Sequence, residues 1–98
     1  MSALQRFDRV RRECGSLGVV VGLPSDDIVY FWPDKVGNYF EVPADKVTRV
    51  FGPGDEVVAG GLRRTVVGYT RNQCYRLREH DYGTTCDYYA WEITPAGQ

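Results

Sequence analysis

GSLGVVVGLPSDDIVYFW, residues 15–32, sets three valines between Gly18 and Gly22, then a polar turn, then a second apolar run. A related stretch, GLRRTVVGYTRNQCYRLR, follows 46 positions later at residues 61–78. The correspondence runs beyond these two stretches. Asp8 and Val10 precede Asp55 and Val57 by 47 positions, and one deletion later the offset becomes 46. Gly15 then matches Gly61, Val20 matches Val66, Val21 matches Val67 and Gly22 matches Gly68. Ala44 matches Ala90, and Val47 meets Ile93. Isolated apolar coincidences arise by chance, but glycines in register point to an internal duplication.

Each half reads as short strands separated by turns. FDRVRR, LGVVVGL, IVYFW, YFEV and VTRV are the expected strands of the first half, punctuated by PSDD, PDKVGN and PADK. DEVVA, RTVVGYT, CYRLR, CDYYAW and a final EIT repeat the plan. Short segments rich in Val, Tyr and Phe and bounded by Pro, Gly and Asp predict an all-β fold. Helical periodicity is absent, save for one turn at PADK. Glycine inside a strand permits a bulge or a tight corner, so Gly18 and Gly22 are expected to let the valine strand bend. Arg64 replaces Gly18 in the second half, which predicts a straighter strand there.

A strand opening Asp-x-Val, a Gly-Val-Val-Val-Gly strand, a third strand ending in aromatics, and VPADKV before the last strand resemble the SH3-like barrel group, which includes Tudor-like and KOW-like domains. The resemblance implies two tandem five-stranded SH3-like barrels, residues 1–51 and 52–98, and a non-catalytic binding role. It names no ligand, because one fold hosts many functions. Barrels of about 45 residues bury too little surface to be stable alone. With the short FGPG connection, that predicts two barrels packed together.

Composition narrows the role. A formal charge of −1 over 98 residues disfavours a strongly electrostatic nucleic-acid binder. The first residues hold no apolar run of signal-peptide length, and no run approaches a membrane span, so the expected compartment is the cytoplasm. Cys14, Cys74 and Cys86 lack paired spacing and are expected as free thiols. With His80 they supply no Cys-x-x-Cys zinc pattern, so neither a metal nor another cofactor is expected. GLGVVVGLP lacks the Gly-Lys-Ser/Thr ending of a phosphate loop. Asp26 and Asp27 read as a solvated turn, and a non-enzymatic protein is expected.

The third strand of each half is the most informative for binding. Alternation puts Val29 and Phe31 on a core face, as it does Tyr75 and Leu77. The opposite face carries Tyr30 and Trp32 in the first half, and Arg76 and Arg78 in the second. With Tyr39 and Tyr82, these form the expected site for a protein or peptide partner, through a shallow aromatic groove or strand addition. The same two faces suit an inter-barrel contact equally well, guanidinium against aromatic ring. The alternative is RNA or DNA binding of the KOW-like kind through Arg63, Arg64, Arg71, Arg76 and Arg78. Arg9 and Arg11 alternate onto one face of the first strand, where they extend such a patch or form a solvated face. A small regulatory or inhibitory protein acting by surface complementarity is the third reading.

Overall fold

A computed structural model describes residues 4–97. Strands make up 56% of the described residues, more than double the ordinary share, and with no α-helix among them the architecture is all-β. No helix there is long and apolar enough to cross a membrane.

The chain divides into two compact units, one ending at Val50 and the other beginning at Phe51. The first is built on β1 (Arg9–Arg12), β2 (Leu17–Ser25), β3 (Ile28–Pro33), β4 (Phe40–Pro43) and β5 (Val47–Phe51), whose last residue, Phe51, already belongs to the second unit. The second is built on β6 (Glu56–Ala59), β7 (Leu62–Tyr69), β8 (Cys74–Glu79), β9 (Thr85–Tyr89) and the two-residue β10 (Thr94–Pro95). Each unit carries one five-stranded antiparallel sheet. The orders are β4-β3-β2-β1-β5 and β10-β6-β7-β8-β9, the same arrangement displaced by five strands along the chain.

The sequence offset reappears as strand register. Val20 opposes Phe31 in the first sheet, and Val66 opposes Leu77 in the second. Both long strands shift register just before the matched glycine, between Val20 and Gly22 and between Val66 and Gly68. Gly22 and Gly68 therefore sit at bulges, as their place within a strand implies. Gly18 has a different role. A Cβ there would lie 2.4 Å from the Trp32 carbonyl oxygen and 2.8 Å from the Phe31 ring, so the position requires close backbone approach.

Alternation places the cores. Val10, Val20, Val29, Phe31, Val42 and Ala44 form the first, with Leu4 and Val47 packed against it. Phe51, Val57, Val66, Tyr75 and Leu77 are each buried in the second unit, where the Phe51 and Tyr75 rings meet edge-on at 5.2 Å. Two expectations need correction. The first strand begins at Arg9 rather than Phe7, because Phe7 has a left-handed backbone (φ 74°) and belongs to the preceding turn. CDYYAW does not run on as one strand: Ala90–Glu92 forms a 3-10 turn, matching the turn Ala44–Lys46 in PADK. Ala90 N donates to Gln73 O at 2.8 Å, as Ala44 N donates to Asp27 O at 2.7 Å. That bond fixes the chain direction at this point in each unit.

Candidate functional site

Among the six residues expected to meet a partner, three converge. Tyr30 and Trp32 project from β3 on the face opposite Val29 and Phe31, both of which are fully buried. Tyr39 stands at the end of the β3–β4 loop with its ring centroid 5.1 Å from that of Tyr30, tilted by 42°. With Arg6, Val21, Gly22, Leu23, Gly37 and Asn38 they line a groove of about 720 Å³.

Local chemistry holds the groove open. Gly22 opposes Tyr30 across the β2–β3 ladder, and a Cβ there would lie 2.7 Å from the Tyr30 ring. The missing side chain is what lets the tyrosine lie against β2. The Trp32 indole donates to Val36 O, which folds the loop back on its own strand. Asn38 Oδ1 accepts from Tyr39 N at 2.9 Å. Arg6 Nε donates to Val21 O at 3.2 Å, while its guanidinium lies 4.6 Å from the Phe7 ring. Leu23 and Tyr39 in this lining remain 42% and 50% exposed.

The second unit presents a polar version of the same face. Arg76 occupies the place of Tyr30 and forms a cross-strand pair with Asp87, Nε to Oδ1 at 3.0 Å. Its hydrogen bond to Asp87 raises its pKa further, so it stays a cation. Arg78 is exposed opposite Thr85, and Tyr82 stands 81% exposed at the β8–β9 hairpin tip. The six expected residues thus fall into two groups, one on each unit.

The arginines considered for nucleic acid do not form one open patch. Arg63 pairs with Glu56 at 3.3 Å, and Arg76 with Asp87. Arg64 is buried, with Nε donating to Ala59 O at 3.0 Å and its guanidinium 5.2 Å from the Tyr88 ring. Arg71 and Arg78 are exposed. Arg9 is not on a patch with Arg11: it is 3% exposed and grips Asp34 through both guanidinium nitrogens, one at 2.8 Å. That pair spans 25 residues, so strand alternation alone gave no sign of it.

Cys14, Cys74 and Cys86 are free thiols. His80 bonds Thr65 Oγ1 at 2.9 Å, and no group of three or more His, Cys, Asp or Glu converges as a metal site among the described residues. Arg6, Leu23, Gly37 and Asn38 were not expected at the groove. Only the aromatics and the glycine in register with Tyr30 carried a signal in the sequence. Compared with known proteins, the chain matches no family model and no curated protein.

Proposed function

We propose that each unit is an SH3-like barrel and that the protein is a non-enzymatic binding module. An extended segment of a protein partner docks in the groove lined by Tyr30, Trp32 and Tyr39. The shared strand order, the bulged second strand and the 3-10 turn before the fifth strand support the barrel reading. The binding reading rests on one observation: three aromatic side chains share an open groove whose shape depends on Gly22 having no side chain. Rigid aromatic rings contribute large contact area at low entropic cost, and such residues dominate binding energy at interfaces.

Selection of linear peptides from a random library against the full chain tests this reading. Tyr39→Ala should change stability by less than about 0.5 kcal/mol, since the side chain is half exposed. It should weaken the selected peptides by about tenfold or more, as removing an anchoring aromatic does. Peptides that bind the Tyr39→Ala protein as well as the wild type would remove the groove from the account. Association with nucleic acid that collapses steeply with added salt would favour the arginine reading instead.

A further inference from the structure

The first unit carries a second groove, about 760 Å³ in volume, built on residues the aromatic groove does not use. Leu4, Ile28 and Val47 give it an apolar, half-buried lining, continuous with the core through Leu4 and Val47. Asp26 and Asp27, from the turn between β2 and β3, line it together with Asp45 of the 3-10 turn. The bond from Ala44 N to Asp27 O ties these two turns together. All three aspartates are exposed, and none of their carboxylates has an ion-pair or hydrogen-bond partner among the described residues. Among the described residues the one cation in the lining is Arg49, which lies 3.2 Å from the fully buried carboxylate of Asp8 and pairs with it. The groove therefore combines an apolar floor with uncompensated negative charge.

The second unit shows that the fold does not require those charges. At the positions 46 residues further on, Asn72, Gln73 and Trp91 replace Asp26, Asp27 and Asp45. The hydrogen bond between the turns survives there with glutamine in place of aspartate. Phe51, 47 residues after Leu4, is 1% exposed where Leu4 is half buried. The same frame thus closes with no acid at these positions and with its floor filled. In the first unit the acids serve no bond that the second unit lacks, and like charges at one site repel one another.

We propose that this groove binds a basic amphipathic segment of a partner protein. Lys or Arg side chains of the segment meet Asp26, Asp27 and Asp45, and aliphatic side chains between them cover Leu4, Ile28 and Val47. Long cationic side chains suit such a surface because their stems are apolar and their heads are charged. A compact metal ion would leave the floor uncovered, and a nucleic acid would meet repulsion at the rim. This site is separate from the aromatic groove, so it stands or falls independently of the function proposed above.

Titration of the full chain with the capped peptide Arg-Leu-Arg-Val-Arg, followed by backbone amide chemical shifts, tests the proposal. Saturable shifts are expected around residues 26–28 and 43–49, weakening as salt is added. A capped Arg-Ser-Arg-Ser-Arg peptide, equal in charge, should bind about tenfold more weakly because it cannot cover the apolar floor. The triple variant Asp26→Asn, Asp27→Asn, Asp45→Asn should keep the wild-type pattern of shifts elsewhere and lose binding by about tenfold or more. Equal binding by the triple variant or by the serine peptide would overturn the proposal. So would the absence of saturable shifts, or shifts centred on Tyr30, Trp32 and Tyr39.

Discussion

Val20 N donates to Asp8 O at 2.9 Å in the first unit, and Val66 N donates to Asp55 O at 2.9 Å in the second. The Asp8 carboxylate accepts from Gln5 N at 2.8 Å, and the Asp55 carboxylate from Gly52 N at 3.0 Å. A residue with positive φ precedes each aspartate: Phe7 in one unit, Gly54 in the other. At this corner the two backbone frames therefore agree bond for bond. Their outward faces do not. Tyr30 becomes Arg76, Trp32 becomes Arg78, and the Glu41 opposite Tyr30 becomes the Asp87 that holds Arg76. The frame is set by backbone groups and a few turn aspartates, which leaves the side chains of the third strand free to change their chemistry.

One ion pair shows how far that freedom goes. Arg9 and Asp34 correspond to Glu56 and His80, so the carboxylate now stands on the first strand of the unit and faces a histidine at the end of the third. In the first unit the pair is bidentate and its arginine buried; in the second the nearest atoms are 3.8 Å apart and both side chains are substantially exposed. Breaking the two pairs should have very different effects. Asp34→Ala leaves a guanidinium buried without its carboxylate and should cost about 3 kcal/mol or more. His80→Ala should cost less than about 0.5 kcal/mol, because Glu56 keeps Arg63 and the site is wet. Urea midpoints of the two variants measure the difference. Equal losses would mean that the bidentate pair stabilises no more than its exposed counterpart.

The matched glycines give a smaller contrast, one of sign. Gly22 faces the Tyr30 ring, whereas a Cβ on Gly68 would meet nothing within 4 Å. Neither has a left-handed backbone. Gly22→Ala must displace Tyr30 and should destabilise the protein by about 1–2 kcal/mol, the usual range for overpacking. Gly68→Ala should be neutral or stabilising by up to about 1 kcal/mol, because alanine restricts the unfolded chain. The same denaturation experiment reads both. A costly Gly68→Ala would imply that the bulge itself, rather than the aromatic neighbour, requires glycine.

These contrasts explain what the sequence made legible. Period-two alternation is a local signal, so the buried Val29 and Phe31 and the outward Tyr30 and Trp32 were readable, as were Tyr75, Leu77, Arg76 and Arg78. The offset of 46 carried the register of both sheets. What it could not carry was partnership across the fold. Arg9 reads as a solvated strand residue until Asp34, 25 positions away, is folded beside it. Asp26 and Asp27 are the exposed turn that the sequence suggests, but their place beside Asp45 and the groove floor is not legible in it. Trp91 reads as strand because aromatics favour strands. Its 3-10 turn was foretold only by Ala90 standing where Ala44 stands.

The smallest expected effect concerns two cysteines at positions where the units differ. Cys14 lies in the β1–β2 turn where the second unit has Gly60, and Cys74 opens β8 where the first unit has Ile28. The Ser16 backbone, then its side chain, hydrogen-bonds the Cys14 sulfur and holds its pKa below the ordinary thiol value. Burial, followed by the charges of Asp87 and Glu92, pushes the Cys74 thiol up. Alkylation by iodoacetamide follows the thiolate fraction, so on acidification the rate at Cys74 should fall at a higher pH than the rate at Cys14. The gap in rate at neutral pH should be modest, because a thiolate of lower pKa is also a weaker nucleophile. Peptide mass spectrometry across a pH series resolves the two sites. Superimposable profiles would mean that the Ser16 hydrogen bonds do not persist in solution, and that the turn at Cys14 is as plain a reversal as the glycine turn of the second unit.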